Sequence, residues 1–522
     1  MSAKPADGLR IAFRCDADAE IGGGHVMRCL TLANALSVAG AKVSFVAAAM
    51  PDSFRNRIAT FGHTLHFIPP SPQMQRDGGS WEAQPLSAET QLADARATAA
   101  AIGESDWLIV DHYLLDARWH SAARSTAGRM MAIDDLANRQ YECDIVLDQT
   151  FGRSEEDYRD LVPARAKVFA GAAFALLRPE FGRERRAALD RRQAGGPVRR
   201  ILLSMGTADP GGVTASIVEQ VVAATSECAI DVVLGPQATG LHEVRNIAAR
   251  HSRISLHVDS DHMAELMRDA DIAIGAAGLT SFERCCLGLP TIAFIVAGNQ
   301  RMTAENLHRA GAVVLAHSPD EVPPLLQRFE NDGLRLSMIA AAATICDGNG
   351  TQMIVNAMMG RATHNESQLI LRAALPSDRQ IVWLWRNDYA TRLFSETTEP
   401  VPWPTHEAWW ARALNSADRH ILVAEMAGVP VATVRFDRAS DSGYKVSINL
   451  APAARGSGLG KKILSEACER FLTQHVGARL LATIHRDNHA SRNIFEKLGF
   501  VGFSGGSDSP FAHYALAEER VE

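Results

Sequence analysis

The sequence predicts an α/β protein whose first two thirds form two lobes, each built on a doubly wound parallel sheet, followed by an α+β domain. Short β-rich runs alternate with amphipathic helices over about residues 9–162 and again after residue 195, an order typical of parallel sheets covered by helices. After residue 369, three strand candidates are separated only by turns, which favours an antiparallel meander. A chain of 522 residues is also too long for one core. We expect lobes at 1–195 and 196–360, a polar linker at 361–368 and a third domain at 369–522.

The composition restricts the class of function. A net charge of −7 argues against a general nucleic-acid binder, which would carry a basic surface. No apolar run reaches the roughly 18 residues that span a membrane, and the segment Met1–Arg10 lacks the hydrophobic region of a signal peptide. The eight cysteines are scattered without a CxxC pair, so we expect reduced core thiols. These features predict a cytoplasmic protein that binds small molecules, with neither nucleic acid nor membrane as a partner, and they leave the oligomeric state open.

The strand candidates determine where ligands can bind. Doubly wound sheets hold ligands at the carboxyl ends of their strands, so the loops after the strands are the candidate sites. The candidates in the first lobe are Leu9–Arg14, Ala41–Ala47, Trp107–Asp111, Arg129–Asp134 and Ile145–Asp148. Those in the second lobe are Arg200–Ser204, Ala229–Leu234, Ile254–His257, Ile272–Gly275 and Thr291–Phe294.

The first strand leads into the most specific motif of the first lobe. Residues Ile21–His25 contain three glycines and a histidine, and an amphipathic helix follows from Val26. Glycines such as Gly22 and Gly24 let the backbone approach a ligand closely, and the new helix directs unpaired N–H groups at it. His25 can hold an anion or move a proton there. A glycine turn whose histidine only caps the helix is the alternative.

Further polar groups follow other strands of the same sheet. Asp111, His112 and Tyr113 come directly after one strand, and Asp134 and Asp135 come after another. Each group alone is as well explained by a loop or helix-capping acid. The carboxyl ends of parallel strands lie at one edge of a sheet, however, so this edge would gather the groups.

The second lobe has two glycine loops, each between a strand and a helix. The loop Ser204–Gly212 includes Gly206, Thr207 and Asp209, and its small residues and N–H groups suit a diphosphate. A single glycine loop of this kind is weak evidence.

The other glycine loop contains Gly278 and Leu279 and leads to Glu283 in the first turns of a helix. Glu283 could accept hydrogen bonds from the two hydroxyls of a ribose. A carboxylate that stabilises the helix dipole is the alternative. Asn299 and Gln300 complete the same rim.

Residues 9–355 resemble the UDP-sugar hydrolases of pseudaminic acid synthesis. The motifs that carry the resemblance are Phe13-Arg14, the Ile21–His25 loop with Arg28, Asp111-His112-Tyr113, Asp134-Asp135-Leu136 and Asp148-Gln149. The resemblance implies two Rossmann-like lobes of GT-B type, with the nucleotide half second, and hydrolysis of UDP-2,4-diacetamido-2,4,6-trideoxy-β-L-altropyranose to UDP and free sugar. It implies that His25 is the base for water and that Tyr113 lies in the active site. Expected UDP and substrate contacts are Gly22, Gly24, Arg28, Asp111, Gly206, Thr207, Asp209, Gly278, Leu279, Glu283, Asn299 and Gln300.

The chemistry of this hydrolysis suits these residue types. A diphosphate leaves as a stable anion, so the reaction needs no strong acid. It needs N–H groups around the diphosphate and one base for water on the opposite face of the sugar. A neutral histidine supplies roughly 10² to 10⁴ in rate as such a base.

The last domain has two motifs that resemble the GNAT acetyltransferases over residues 369–517. The first, Arg455–Lys461, follows a strand and opens a helix, and its N–H groups can hold a pyrophosphate. The second runs from Asn488 through Phe495 to Phe500. The strand candidates here are Leu369–Arg372, His420–Met426, Val429–Asp437 and Lys445–Leu450.

The GNAT resemblance implies acetyl-CoA as co-substrate, with the thioester carbonyl near Leu450. Many GNAT enzymes carry a proton-donating tyrosine where this chain has Phe495, so we assign no catalytic residue to this domain. The expected acetyl-CoA contacts are Leu450, Arg455, Gly456, Gly458, Gly460, Lys461, Asn488 and Asn493.

The presence of both domains on one chain predicts a bifunctional enzyme of neighbouring steps. The third domain would acetylate the C4 amine of the UDP-amino-sugar, and the lobes would then hydrolyse the product. One alternative is a UDP-sugar-dependent glycosyltransferase fused to an acetyltransferase of other specificity. Another is a regulatory sugar-nucleotide-binding protein whose GNAT domain modifies proteins. No metal-binding motif is present, so we expect no required metal.

Overall fold

The computed structural model divides the chain into two compact units, residues 1–363 and 364–522. It describes residues 8–17, 23–70, 85–193, 195–360, 369–426, 429–451, 454–455, 459–503 and 509–516. Each unit is treated by itself below. The expected linker at 361–368 lies outside the described residues.

The first lobe of unit 1 is a seven-stranded parallel sheet of order β3-β2-β1-β4-β5-β6-β7. Its strands are β1 (Arg10–Cys15), β2 (Lys42–Ala47), β3 (Thr64–Phe67), β4 (Ser105–Asp111), β5 (Ala127–Asp134), β6 (Ile145–Asp148) and β7 (Lys167–Ala170), and its helices are α1 (Gly24–Val38), α2 (Asp52–Thr60), α3 (Ala88–Ile102) and α4 (Ala117–Ala123). Both faces are covered: Ile11 and Phe13 pack in one core and Ala12 packs in the other. Burial on both faces explains the apolar run 11–13 in the middle of β1.

The second lobe of unit 1 is a six-stranded parallel sheet of order β10-β9-β8-β11-β12-β13. Its strands are β8 (Arg200–Ser204), β9 (Ala229–Leu234), β10 (Ile254–Val258), β11 (Ile272–Ala276), β12 (Thr291–Phe294) and β13 (Val313–Ala316). Its helices are α6 (Val213–Ala224), α7 (Leu241–Arg250), α8 (Met263–Asp269), α9 (Thr280–Cys286), α10 (Arg301–Arg309), α11 (Val322–Arg328) and α12 (Asp332–Ile345). The two sheets confirm the predicted pair of Rossmann-like lobes.

Two helices of unit 1 each pack on a lobe other than the one they follow in the sequence. Helix α5 (Pro179–Gln193) follows the first lobe, but Phe181 and Ala188 belong to a core of the second lobe. Helix α13 (Gly350–Met358) follows the second lobe, but Ile354 and Val355 pack in a core of the first lobe with β1 and α1. The lobes are therefore joined by packing as well as by the chain.

Unit 2 is a seven-stranded sheet of order β14-β15-β16-β17-β18-β20-β19. Its strands are β14 (Leu369–Ala373), β15 (Arg419–Met426), β16 (Val429–Arg438), β17 (Gly443–Leu450), β18 (Arg479–His485), β19 (Phe500–Phe503) and β20 (Phe511–Leu516), and its helices are α14 (Arg379–Asn387), α15 (Tyr389–Leu393), α16 (Trp403–Leu414), α17 (Leu459–Gln474) and α18 (His489–Lys497). The first four strands form the expected antiparallel meander.

The pair β17–β18 differs from the rest of this sheet. The two strands are parallel and pair only where 443–445 meet 479–481. The residues of β17 from Val446 to Leu450 have no partner on β18. The C-terminal end of β17 is thus open on that side.

Two negative findings apply to the residues that the structure describes. No helix among them is both long and apolar enough to cross a membrane. No group of histidine, cysteine and carboxylate side chains among them is arranged to hold a metal ion.

Candidate active sites

His25 lies at the start of α1 and faces the end of β4. Its Nδ1 atom is 2.5 Å from Oδ1 of Asp111, the last residue of that strand. Both side chains are buried, with 6% of His25 and 1% of Asp111 exposed. The strand–glycine turn–helix order of the sequence thus brings His25 to the sheet edge at which Asp111 ends β4.

Arg28 joins the polar groups of this edge. Its Nε and Nη2 atoms donate to the two oxygens of Asp111 at 2.6 and 2.7 Å. Its Nη1 atom donates to both oxygens of Asp135 at 2.7 and 2.9 Å. The hydroxyl of Tyr113 also donates to Asp135, at 2.6 Å. The structure therefore gathers the predicted His25, Arg28, Asp111 and Tyr113 into one network.

The charges of this network fix the ionisation of Asp111 and Tyr113. Burial alone would raise the pKa of Asp111, but the charge of Arg28 and the hydrogen bonds from Arg28 and His25 outweigh it, and the pKa lies below its usual range. Burial and the nearby Asp135 carboxylate raise the pKa of Tyr113 well above its ordinary value. Asp111 is thus an anion and Tyr113 a neutral hydroxyl near neutral pH.

The second lobe contacts the same group of residues. Nδ2 of Asn299 donates to the hydroxyl of Tyr113 at 3.2 Å, and the ring of Tyr113 lies edge-on to His25 with centroids 4.6 Å apart. A Cβ atom on Gly24 would lie 3.5 Å from Cδ1 of Leu279. His25 consequently lies at the junction of the two lobes.

Gly278 and Gln300 lie together on this rim of the second lobe. A Cβ atom on Gly278 would be 3.4 Å from Nε2 of Gln300, and Oε1 of Gln300 accepts from the backbone of Val296 at 3.1 Å. Gln300 therefore holds the loop after β12. The Oδ1 atom of the neighbouring Asn299 is buried and has no hydrogen-bond partner in the described part of the chain.

The Gly206 loop follows β8, as expected, but Asp209 points into the protein. Gly206 has a φ of 102°, which favours glycine, and Thr207 is exposed. The carboxylate of Asp209 is fully buried and accepts hydrogen bonds from Thr214 and from the backbone of Gly240, at 2.7 and 3.2 Å. Asp209 thus holds the conformation of the loop from inside the lobe, while Gly206 and Thr207 lie on the side of the loop that a ligand can reach.

Glu283 lies in α9 and has a cationic neighbour that the sequence did not reveal. Nη2 of Arg178 is 3.7 Å from Oε1 of Glu283. Burial raises the pKa of Glu283, and the Arg178 charge opposes this. Arg178 lies just before α5, which packs on the second lobe, and no motif in the sequence marks it.

A second buried acid group lies at the ends of β5 and β6. The hydroxyl of Tyr158 is 2.8 Å from both Asp134 and Asp148, and Arg153 pairs with Asp148 at 2.9 Å. Burial and the nearby charge of Asp135 raise the pKa of Asp148 to about 6. Tyr158 stands in a stretch without a motif, so no feature of the sequence marks its contacts with the two acids.

In unit 2, Arg455 connects the loop before α17 to neighbouring elements. Its Nη1 atom donates to Asp388 at 2.5 Å, and its Nη2 atom donates to Thr391 and to the carbonyl oxygen of Leu450 at 2.9 and 3.3 Å. A Cβ atom on Gly460 would lie 3.3 Å from Leu450, so this glycine lets α17 begin close to the end of β17.

The remaining predicted residues of unit 2 are placed as follows. Lys461 and Asn493 are exposed. Asn488 caps α18, since its Oδ1 accepts from the backbone of Ser491 at 3.0 Å. Phe495 is buried against Phe500, with ring centroids 4.9 Å apart. Gly22, Gly456 and Gly458 lie outside the described residues.

These features define the class of the protein: two Rossmann-like lobes with a polar network at their junction, followed by an α+β domain with a mixed seven-stranded sheet. Residues 380–500 match the family model "Acetyltransferase (GNAT) family". The chain is homologous to the UDP-2,4-diacetamido-2,4,6-trideoxy-β-L-altropyranose hydrolase of Campylobacter jejuni, at 24% identity over 305 residues that cover 58% of this chain and 97% of the relative. Both resemblances predicted from the motifs are thereby confirmed.

Two further proteins are similar to parts of this chain. An uncharacterized protein of Methanocaldococcus jannaschii is 24% identical over 422 residues, which cover 78% of this chain and 84% of the relative. The crystal structure of Acinetobacter baumannii MurG is 16% identical and covers 68% of this chain and 99% of MurG, with a TM-score of 0.46.

Proposed function

We propose that unit 1 hydrolyses UDP-2,4-diacetamido-2,4,6-trideoxy-β-L-altropyranose to UDP and the free sugar, with His25 as the base that activates water. The similar protein of Campylobacter jejuni is named as the hydrolase of this UDP-sugar, and the alignment with this chain covers 97% of that protein. Within this chain, the polar network at the junction of the lobes is where the residues needed for the reaction meet.

The contact between His25 and Asp111 carries the proposal. An ionised carboxylate can only accept, so the 2.5 Å contact assigns the ring hydrogen to Nδ1. The lone pair of Nε2 is then available to take a proton. Nε2 would remove a proton from water while the water oxygen bonds to C1 of the sugar. The bond from C1 to the diphosphate oxygen breaks, and UDP leaves as an anion.

The second lobe supplies the groups suited to hold UDP. The loop at Gly206 and Thr207 can present N–H groups to the diphosphate. Glu283 can accept hydrogen bonds from the ribose hydroxyls. Asn299 would place Tyr113 and the sugar together, because it already binds the Tyr113 hydroxyl from across the junction.

The test is to incubate the full chain with this UDP-sugar and no acceptor, and to follow UDP and free sugar. We expect turnover by the wild type and loss of it in His25→Ala. His242→Ala is a matched control, since His242 is exposed on α7, where its Nε2 lies 3.2 Å from Nδ2 of Asn246. Absence of UDP release unless a second carbohydrate is added would instead establish a glycosyltransferase.

We further propose that unit 2 transfers an acetyl group from acetyl-CoA to the C4 amine of the UDP-amino-sugar precursor. The GNAT family match supports an acetyltransferase, and the homology of unit 1 suggests the neighbouring step. The end of β17 that has no partner on β18 can pair with the pantetheine part of acetyl-CoA. The start of α17 can take the pyrophosphate.

Mass spectrometry of the full chain with acetyl-CoA and the UDP-4-amino-sugar tests this step. Gain of one acetyl group on the nucleotide sugar, followed by release of UDP, would support both proposals in one sample. Acetylation of a lysine peptide with no change in the sugar would contradict the second proposal. We assign both reactions to the cytoplasm, consistent with the eight free cysteines.

A further inference from the structure

Two arginines lie beside each other in unit 2. Arg386 is in the last turn of α14, and its Nη2 donates to the carbonyl oxygen of Thr397 at 2.9 Å. Arg392 is on α15, and its Nη1 donates to the next carbonyl, that of Thr398, at 2.8 Å. Consecutive carbonyls hold the two guanidinium groups close together. Among the described residues, neither group forms an ion pair with a carboxylate.

A third arginine faces these two from the sheet. On β16, Val434 and Phe436 pack in the core with α17, so Arg435 between them is on the opposite face. Its cross-strand partner Ile421 packs with α14 and α16, which places Arg435 on the face that those helices cover. The side chain of Arg435 is 37% exposed, so this part of the face is accessible to solvent.

The carboxylates around this arginine group are already shared. Asp437 lies 2.7 Å from Arg435 and also binds Arg419. Glu396 binds Lys445 at 3.0 Å. Each of these carboxylates is thus already bound to another cation, while Arg386 and Arg392 have no carboxylate partner in the described part of unit 2, so positive charge is in excess here.

Arg386 shows the effect of this excess most clearly. Its Nη1 atom is buried and has no hydrogen-bond partner in the described residues. Burial and the charges of Arg392 and Arg435 lower the pKa of Arg386. A half-buried cation with an unused donor is costly unless an anion satisfies it. The group is thus prepared for an anionic ligand.

The arginine group also adjoins the expected acetyl site. On α15, directly before Arg392 in the sequence, the hydroxyl of Thr391 contacts Oδ1 of Asn449 at 3.3 Å near the end of β17. The same hydroxyl accepts from Arg455, which also binds the carbonyl oxygen of Leu450. A ligand held by Arg386, Arg392 and Arg435 would therefore lie beside the strand end at which the thioester is expected.

We propose that Arg386, Arg392 and Arg435 bind the diphosphate of the nucleotide-linked amino-sugar acceptor and so position its amine for acetyl transfer. The inference rests on the proposed acetyltransferase function of unit 2. A diphosphate matches the group because it carries several negative oxygens, and guanidinium groups bind such oxygens in pairs. UDP held there would be separate from UDP held by the second lobe of unit 1.

Steady-state kinetics of acetyl transfer test the role of the group. In Arg386→Gln and Arg435→Gln, we expect the KM for the UDP-amino-sugar to rise about 10- to 100-fold, with the KM for acetyl-CoA unchanged. Arg438→Gln is the matched control, because Arg438 is on the same strand, is 44% exposed and pairs with Asp418. An unchanged KM for the acceptor in both variants would overturn the inference while leaving the acetyltransferase function intact.

Calorimetric titration of the full chain with UDP tests the inference without acetyl transfer. We expect the Arg386→Gln/Arg435→Gln double variant to lose one UDP site per chain relative to the wild type, with a thermal unfolding profile that is unchanged. An equal number of sites in the two proteins would contradict the inference. If the wild type binds UDP at the arginine group but does not acetylate the amino-sugar, the proposed acetyltransferase reaction is contradicted and the proposed diphosphate site is not.

Discussion

Asn299 of the second lobe donates to the hydroxyl of Tyr113 of the first lobe at 3.2 Å. The hydroxyl in turn donates to Asp135, which is bound by Arg28. One chain of hydrogen bonds thus runs from the second lobe to the residues beside His25. The relative position of the lobes and the geometry of the candidate active site are therefore coupled.

A double-mutant cycle on Tyr113→Phe and Asn299→Ala measures this coupling. Each single variant should lower kcat/KM for the UDP-sugar. Because the two side chains share one hydrogen bond, we expect the loss of transition-state stabilisation in the double variant to be smaller than the sum of the losses in the two single variants. The difference, which is the coupling energy, should be about 0.5–1.5 kcal/mol. The measurement is initial-rate UDP release. Strict additivity would show that the bond is not kept in the substrate complex.

Asp111→Asn should impair hydrolysis through His25. The amide can donate to Nδ1, which would move the ring hydrogen to Nε2 and remove the lone pair that water needs. We expect kcat to fall by roughly 10²- to 10⁴-fold, with a much smaller change in the Kd for UDP. UDP-release kinetics and UDP calorimetry report the two quantities.

Asp106→Asn is a control for that experiment, because Asp106 is on the same strand and binds only the backbone of Arg10 in the described chain. A loss of UDP affinity in Asp111→Asn as large as the loss in kcat would show that Asp111 acts mainly by holding the fold.

Stability should depend on pH through Asp148. The pKa of Asp148 in the folded protein is raised to about 6, so the fold favours the protonated carboxyl group. The contribution of this group to stability is complete below the pKa of the unfolded chain and is lost as the pH rises through about 6. The loss is on the order of 2–3 kcal/mol. Asp148→Asn lacks this titration, so its stability relative to the wild type should increase between pH 4 and pH 7. Chemical unfolding of both proteins across this range is the measurement, and a constant difference would exclude the assignment.

Lys461→Gln should weaken acetyl-CoA binding. Lys461 is exposed in the first turn of α17, where a pyrophosphate would meet both the helix N-terminus and the side-chain charge. We expect a several-fold rise in the KM for acetyl-CoA that becomes smaller at high salt. Lys462→Gln provides an adjacent exposed control. Equal effects of the two substitutions would indicate general electrostatic attraction only.

The sequence predicted what depends on local order along the chain. The parallel sheets followed from alternation of apolar runs with helices, and His25 and Asp111 followed from the rule that strand ends share a sheet edge. Each prediction needed only the type of a residue and its distance from a strand. The antiparallel meander of unit 2 was predicted on the same basis and is confirmed.

The rest depends on contacts between distant residues. Asp209 looked like a ligand group because it stands in a glycine loop, but its carboxylate binds Thr214 and Gly240 inside the lobe. The strands β3, β7 and β13, of four residues each, were also missed. Tyr158 meets Asp134 and Asp148 only after folding. None of these outcomes has a signature in a single sequence.

The crossing of α5 and α13 between the lobes has a practical consequence for producing unit 1 in pieces. A truncated gene product that stops at residue 345 would lack Ile354 and Val355, which complete the apolar cluster beneath β1 and α1. Such a fragment would expose that cluster and aggregate, although both sheets would be encoded in full. Recombinant expression of the two lobes without unit 2 must therefore extend through Met359.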